Sequence, residues 1–360
     1  MNYVFLVAGI VIVCLAGVDV LVSTLAPRGT GFFSTRLRSV IWNFFHWCGQ
    51  GRGESRMLNY AGMFTVAAWL FGWILMLWIG NFLIYLSAPD SVLYSGTNAS
   101  AGPIDKLYFT GYVLSTMGNG DFKPGGGWWS VYSAVISFSG FVTITLAITY
   151  LVPVLSAEME KRKTSIYIHS LGASPEEILI NAWNGKDFSR LTQHFGSLTD
   201  SIMSQAQKHV AYPVLHNFHS HLHQEALAIN LVTLDEALSI LLLYGHNETY
   251  TIEQQIYPLR FAISDYLATL ANAFIEPSNN EPGPFRMERL RQSAIPFKQE
   301  NEDIRMDKER LRLRRKLLLG MLENDGWHWG NIYMTATYES YDISRNKEVA
   351  SKGKIKHYNS

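Results

Sequence analysis

The sequence predicts an all-α membrane protein with three transmembrane helices and a shorter re-entrant helix, followed by an all-α cytoplasmic domain. Three apolar stretches, at roughly 3–25, 60–87 and 128–155, are each long enough to cross a hydrocarbon core of about 30 Å. Most of the charged residues lie beyond residue 157. The 360 residues therefore divide into a membrane part and a water-exposed part, and a formal net charge of zero hides this division.

Residues 1–26 form the first predicted transmembrane helix. A cleaved signal peptide is the alternative, but the segment lacks a basic start and an obvious small-residue cleavage pattern. Asp19 is the one acidic residue inside it. The sequence leaves open whether Asp19 reaches the membrane interface, pairs with Arg28, or contacts a neighbouring subunit.

Residues 27–59 are predicted to form a cytoplasmic loop that contains an amphipathic helix. Between residues 32 and 47, aromatic and aliphatic side chains recur at helical spacing, while Arg36 and Arg38 fall on another side. This pattern is typical of a helix that lies on the inner membrane surface, so membrane lipid is a predicted partner.

The basic residues predict the orientation in the membrane. The segment 89–103 contains no Lys or Arg, whereas the loop between the first two spans and the segment after the third span are basic. We therefore expect a multi-pass protein of the cell inner (plasma) membrane, with its N-terminus outside and its C-terminal domain in the cytoplasm. The basic residues are Arg28, Arg36, Arg38, Arg52 and Arg56 in the loop and Lys161, Arg162 and Lys163 after the third span.

A short apolar segment from Pro103 to Ser115 lies between the second and third spans. It is too short to cross a membrane, and Pro103 and Asp105 suit the first turn of a helix. Gly118 and Gly120 follow at alternate positions. Glycines permit dihedral angles that turn backbone carbonyls inward, where they can replace the hydration shell of an ion. The negative end of the helix dipole favours a cation at the same place.

These residues make the region 60–157 resemble the potassium-channel pore-domain family, in its bacterial type. Residues 107–122 align without gaps with the pore helix and filter of that family. The run Thr116-Met117-Gly118-Asn119-Gly120-Asp121 stands where the family pattern reads Thr-Val-Gly-Tyr-Gly-Asp. The resemblance implies a pore domain made of an outer helix, a pore helix, a selectivity filter that holds K⁺, and an inner helix.

The resemblance also implies roles for individual residues. Thr116 would offer its hydroxyl and carbonyl at the inner mouth, and the next three carbonyls would line the filter above it. Asp121 would support the outer mouth by accepting a hydrogen bond from Tyr108. The predicted filter residues are Thr116, Met117, Gly118, Asn119, Gly120 and Asp121, and the predicted supporting residues are Tyr108, Phe109 and Ser115.

Three departures from the family pattern leave the ion selectivity open. Asn119 replaces an aromatic residue that packs against the pore helices, and Phe109 stands where the family often has Trp. Met117 replaces a β-branched Val with a more flexible side chain. The predicted function is K⁺-selective conduction. The alternatives are non-selective conduction of monovalent cations and a non-conducting membrane receptor with a pore-like core.

One chain carries one such filter, so a closed ring of carbonyls requires several chains. The resemblance implies four, and a homotetramer is the predicted assembly, with monovalent cations as its ligands. No organic cofactor and no nucleic-acid partner are predicted. The sequence shows no nucleophile elbow, phosphate loop or recognisable pair of catalytic acids, and we therefore predict that the protein is not an enzyme.

The third span carries two candidate gating positions. Gly140 falls where the family places the hinge of its inner helix, although a glycine that permits close helix packing is an equal alternative. Pro153 is predicted to kink the inner end of the same helix. No span has arginines at every third position, so we expect gating through the cytoplasmic domain and not by a voltage sensor.

Residues 158–343 are predicted to form a helical cytoplasmic domain of no recognised family, which we interpret as an assembly and gating module. A basic, disordered tail is predicted at 344–360. Glu276 to Pro284, with three prolines, is the predicted linker. The predicted helices lie at 175–183, 187–208, 213–244, 252–276 and 302–323, and Ser174 is the predicted cap of the first of them.

A histidine cluster is the one unusual chemical feature of this domain. His216, His219 and His223 would share one face of the predicted helix at 213–244. Histidines four residues apart on a helix can hold one metal ion, so a divalent metal is a candidate cofactor. A pH sensor and a polar rim of a packed face are the alternatives.

Overall fold

The structure is a computed structural model that describes residues 1–26, 29, 31–245 and 250–333. These residues form two compact units. The first unit contains residues 1–51, 55–160 and 207–219, and the second contains residues 52–54, 161–206 and the described residues from 220 onward. The division near residue 160 is close to the predicted one at 157, but 207–219 fold with the first unit. The predicted tail at 344–360 lies outside the described residues.

Three long apolar helices and one amphipathic helix make up most of the first unit. The apolar helices coincide with the three predicted spans, and each is long and apolar enough to cross a membrane. The amphipathic helix follows the first span, as predicted. The helices are α1 (Tyr3–Leu25), α2 (Phe32–Cys48), α3 (Ala61–Leu86) and the first part of α5 (Trp128–Leu171).

Helix α1 packs against α3 on one side and exposes apolar side chains on the other. The two backbones approach closely, since a Cβ added to Gly9 would lie 2.6 Å from the carbonyl oxygen of Gly80. An uncovered apolar surface on a helix of this length suits contact with lipid tails. The exposed residues of α1 include Val4, Val7, Val11, Leu15 and Val18.

Asp19 joins the first three helices. Its carboxylate accepts hydrogen bonds from the backbone N–H of Phe33 at 2.9 Å, from the hydroxyl of Ser34 at 2.5 Å and from the Trp73 indole N–H at 2.8 Å. The carboxylate therefore caps the N-terminus of α2, where the helix dipole favours a negative charge. The alternative partner Arg28 lies outside the described residues.

A shorter helix, α4 (Pro103–Leu114), lies between two strands that pair with each other. Strands β1 (Val92–Tyr94) and β2 (Phe122–Pro124) are antiparallel, with Val92 opposite Pro124. The pairing brings the chain after residue 121 back beside the chain that leads into α4. Helix α4 and the loop 115–121 therefore form a closed excursion between two joined strands.

Helix α5 passes close to the C-terminal end of α4 at Gly140. A Cβ added there would lie 1.9 Å from the carbonyl oxygen of Leu114. This contact accounts for the glycine by close packing of backbone on backbone, and the hinge role stays a prediction. Beyond Gly140 the helix continues through Pro153 to Leu171.

The second unit is a cluster of helices around α9 (Leu227–Tyr244), a helix that is buried on nearly every side. Ser174 caps the first helix of the cluster as predicted, because its hydroxyl accepts from the backbone N–H of Glu177 at 3.2 Å. The other helices are α6 (Pro175–Ala182), α7 (Ser189–Thr192), α8 (Phe195–Ala211), α10 (Tyr250–Ala271), α11 (Glu288–Gln292) and α12 (Glu302–Asn324). The last residues of α8 belong to the first unit.

Helix α9 is the fourth helix that is long and apolar enough to cross a membrane, but 94% of its most apolar window is buried within the protein. It also carries two fully buried carboxylates. Asp235 pairs with Arg260 of α10 at 2.9 Å and with Arg314 of α12 at 2.6 Å. Glu236 pairs with Arg315 of α12 at 2.8 Å. These ion pairs and the surrounding helices make α9 the core of the second unit.

The structure corrects the predicted helix at 213–244. Two 3₁₀ turns, Pro213–Asn217 and His223–Glu225, precede α9 and are separated from each other by non-helical chain. Asn230 accounts for the late start of α9, because its side-chain amide donates to the carbonyl oxygen of His223 at 2.8 Å and to that of Gln224 at 3.3 Å. These bonds hold the preceding chain in a non-helical path.

Two smaller differences from the predicted helices occur in the same unit. The predicted helix at 187–208 is two helices, α7 and α8, with a break before Phe195. The predicted linker at 276–284 is non-helical, but the backbone N–H of Ser278 donates to the carbonyl oxygen of Lys316 at 2.9 Å. This segment is therefore packed on α12 and is part of the fold of the unit.

Replacing Asp235 by Asn is expected to destabilise the second unit by about 3–5 kcal/mol, because it leaves the guanidinium groups of Arg260 and Arg314 buried without their carboxylate. Asp307→Asn is the matched control, since Asp307 forms an exposed ion pair with Arg310. The control should change the free energy of unfolding by less than about 1 kcal/mol. Denaturant unfolding of the full chain in detergent measures both values, and equal losses would contradict the role given to Asp235.

Replacing Gly140 by Ala is expected to lower the thermal unfolding midpoint, because the added methyl group overlaps the Leu114 carbonyl and forces α4 and α5 apart. Overpacking of this kind costs about 1–3 kcal/mol. Gly17→Ala in α1 is the control, since a Cβ at Gly17 meets nothing within 4 Å. The midpoint is measured by heating the detergent-solubilised protein and following the folded fraction. A variant at 140 that unfolds with the control would contradict the packing explanation.

Lowering the pH is expected to destabilise the second unit through His223. Burial lowers the pKa of His223, against smaller raising effects from the hydrogen bond that its Nε2–H donates to the Asn331 carbonyl and from Glu54. Below the ordinary histidine pKa the unfolded chain binds more protons than the folded one, so stability falls as the pH drops through about 6.5. Thermal midpoints between about pH 7.5 and 5.5 test this. If the midpoint of His223→Asn falls as much as that of the wild type, His223 is not the cause.

Candidate functional site

Helix α4 begins and ends with side-chain caps that fix its length. Asp105 accepts from the backbone N–H of Gly102 at 3.1 Å and from the Tyr94 hydroxyl at 2.6 Å. At the other end, the hydroxyl of Ser115 donates to the carbonyl oxygen of Tyr112 at 3.1 Å. The predicted short helix is therefore present, and Ser115 supports the chain where the helix gives way to the loop 115–121.

Lys106 fastens α4 to the end of α3. Its side chain is 3% exposed, and its ammonium donates to the carbonyl oxygens of Tyr85 at 3.2 Å, Ala88 at 2.5 Å and Pro89 at 2.9 Å. Tyr85 is in the last turn of α3 and the other two residues follow the helix directly, at the end where a positive charge is favoured. This role of Lys106 was not predicted. The signal in the sequence is a single lysine inside an apolar segment, where a charged group has few favourable positions.

Phe109 lies in the core formed by α3, α4 and α5. Its ring meets Tyr85 edge-on, with centroids 5.2 Å apart, and Tyr112 in the same way at 5.1 Å. The Tyr85 hydroxyl and the hydroxyl of Ser133 in α5 are 2.6 Å apart and hydrogen-bonded. The predicted supporting role of Phe109 therefore takes the form of packing that fixes α4 between its two long neighbours. Trp78 adds a hydrogen bond from its indole N–H to the Leu107 carbonyl at 2.9 Å.

The loop after α4 alternates in backbone handedness. The φ angles of Thr116, Gly118 and Gly120 are +60°, +63° and +79°, whereas Met117 and Asn119 are outside the positive region. A positive φ suits glycine, but it is strained for a β-branched residue such as Thr116. A backbone in which positive φ recurs at every second residue can turn successive carbonyls toward one side, unlike a strand. Such a row of carbonyls can coordinate a cation.

The predicted hydrogen bond between Tyr108 and Asp121 is replaced in the structure by two hydrogen bonds from Asn119. The side-chain amide of Asn119 lies between the two groups, donating to the Tyr108 hydroxyl oxygen and to the Asp121 carboxylate, the latter at 2.9 Å. Nearby, the hydroxyl of Tyr112 donates to the carbonyl oxygen of Phe122 at 2.8 Å. The structure therefore brings Tyr108, Asn119 and Asp121 together. The side chain of Met117 is 60% exposed.

The structure does not contain the helix face on which the three predicted metal ligands would lie. His216 lies in a 3₁₀ turn with its ring centroid 6.0 Å from that of Trp42, His219 is buried in the chain that follows, and His223 belongs to the second unit. The single helix face on which the site depended is interrupted. Among the described residues, no group of three His, Cys, Asp or Glu side chains is placed to hold a metal ion.

Comparison with known proteins identifies a relative of nearly full length. No model of a known protein family and no solved structure matches the chain. A protein of Bacillus subtilis (strain 168), described as the uncharacterized membrane protein YdjJ, is 34% identical over 332 residues, which are 91% of this chain and 96% of the relative. This similarity agrees with the long apolar helices of the first unit. The chain therefore belongs to the family of membrane proteins that includes YdjJ.

Proposed function

We propose that the protein is a tetrameric potassium channel that passes K⁺ between backbone carbonyls of the loop 115–121. The observation that carries the proposal is the alternation of positive φ at Thr116, Gly118 and Gly120 directly after the C-terminus of α4. The strain at Thr116 is a cost of about 1–3 kcal/mol, which structures keep where the conformation has a use. A row of carbonyls at the negative end of a helix suits a dehydrated cation.

The proposed assembly follows from the number of carbonyl rows. One chain supplies one row, and a full ring around an ion requires the same loop from other chains, four in the family that the sequence resembles. In the proposed orientation the loop 115–121 faces the outside of the cell membrane and the second unit lies in the cytoplasm. The candidate gate is moved through α5, which contributes residues to both units.

Non-selective conduction of monovalent cations is the second candidate function. It is favoured by the exposed, flexible side chain of Met117 in the middle of the loop, where the potassium-channel pattern has a stiff β-branched residue. A loop that yields easily can close around a smaller ion as well. The relative permeability to Na⁺ and K⁺ separates the two candidates.

Purified full-length protein in vesicles of phosphatidylethanolamine and phosphatidylglycerol is expected to pass K⁺, measured as the flux that collapses a potassium gradient. Gly118→Ala should lower this flux at least tenfold, because alanine disfavours the φ of +63° at that position. Gly96→Ala is the control, since a Cβ at Gly96 meets nothing within 4 Å and its φ is not in the positive region.

The outcomes of this experiment separate the alternatives. Passage of Na⁺ as fast as K⁺ would leave a channel and reject K⁺ selectivity. Passage of neither ion by protein that is folded and inserted would reject conduction and favour a receptor with a pore-like core.

A further inference from the structure

The side-chain amide of Asn119 donates two hydrogen bonds, whereas the tyrosine at this position in the potassium-channel pattern has a single O–H to donate. One N–H donates to the phenol oxygen of Tyr108 on α4, and the other donates to the carboxylate of Asp121 two residues along the chain. Among the uncharged side chains, only Asn and Gln carry an NH₂ group that can donate twice in this way. Both N–H groups of the Asn119 side chain are therefore hydrogen-bonded.

The groups that receive these bonds are themselves fixed. The ring of Tyr108 packs edge-on against Tyr112 and Phe122, with centroids 5.4 Å and 6.2 Å away. Tyr112 is tied by its hydroxyl to the Phe122 carbonyl at 2.8 Å, and Phe122 lies in β2. The backbone carbonyl of Asp121 accepts from the N–H of Ser95, the residue after β1, at 3.0 Å. The amide of Asn119 is thus connected to α4 through Tyr108 and to the chain beside the small sheet through Asp121.

The position of Asn119 in the loop gives this connection its effect. The residue stands between Gly118 and Gly120, which have no side chains and the widest backbone freedom. The side chain of Asn119 is therefore the lateral restraint on the middle of the loop. If the amide is released, the carbonyls on either side can move inward.

We infer that Asn119 is a positioning residue that sets the K⁺-over-Na⁺ preference of the loop, by holding its carbonyls back from a smaller ion through Tyr108 and Asp121. The inference rests on the proposed function. It bears on the selectivity that the sequence leaves open, because a pair of hydrogen bonds within one chain takes the place of the lost aromatic packing.

The test is the Na⁺/K⁺ permeability ratio of the full-length protein in the same vesicles. Asn119→Leu keeps the approximate volume of the side chain and removes both donors, and Tyr108→Phe removes one acceptor while keeping the ring. Tyr108→Phe should raise the ratio about two- to tenfold, the equivalent of one hydrogen bond, and Asn119→Leu, which removes two, should raise it at least as much. The double variant should be no worse than the more severe single variant, because both substitutions break the same connection. Tyr3→Phe is the control, since Tyr3 is an exposed residue at the start of α1, and its ratio should not change.

A second measurement, the thermal unfolding midpoint in K⁺ and in Na⁺, distinguishes a loss of selectivity from poor folding of a variant. K⁺ should raise the thermal midpoint of the wild type more than Na⁺ does, and Tyr108→Phe, the milder change, should narrow this difference. An unchanged ratio and an unchanged difference in both single variants would overturn the inference while leaving the channel intact. Absence of K⁺ and Na⁺ flux in the wild type would overturn the proposed function and this inference together.

Discussion

The ammonium group of Lys106 is held by three carbonyl oxygens at the end of α3, and the position of α4 follows from this contact. A buried charge needs several close partners, and the last carbonyls of a helix are free to provide them. The chain therefore has one favourable place to put this lysine. Phe109, packed three residues along the same helix, then presses α4 against Tyr85 and fixes its rotation. The start of the loop 115–121 is set by these two residues of α4.

The second unit uses buried charge for a related purpose. Helix α9 is apolar enough to enter a membrane, but Asp235 and Glu236 have guanidinium partners on α10 and α12. Ion pairs of this kind add little net stability compared with apolar packing, but they penalise wrong arrangements of the helices. Such carboxylates would be costly in lipid. They favour a protein core over the bilayer for a helix whose hydropathy alone permits either.

The parts of the fold that depend on local pattern could be predicted from the sequence. The three apolar helices, the short helix at Pro103 and the glycine pair at 118 and 120 were all visible, because helix length, capping residues and turn glycines act over a few positions. The partners of Lys106 and the double hydrogen bond of Asn119 were not visible, since they depend on groups that come together only in three dimensions.

The histidine cluster is a case in which a local sequence pattern predicted a helix that the structure lacks. The spacing of His216, His219 and His223 fits one helix face, but the predicted helix was wrong because a side chain seven residues beyond His223 bonds to the backbone there. Asn230 binds the carbonyl oxygen of His223, which shortens α9 from its N-terminal end. A helical period in the sequence cannot report a competing hydrogen bond of this kind.

Asp19 also bears on how the chain is made. A carboxylate in an apolar helix opposes insertion by as much as about 2.5–3.5 kcal/mol at the centre of the helix. Its partners are the start of α2 and the indole of Trp73, which follows Asp19 by 54 residues. During synthesis Asp19 therefore lacks its hydrogen bond from Trp73 until α3 has been made. We expect α1 and α3 to enter the bilayer together, once both are available to form this hydrogen bond.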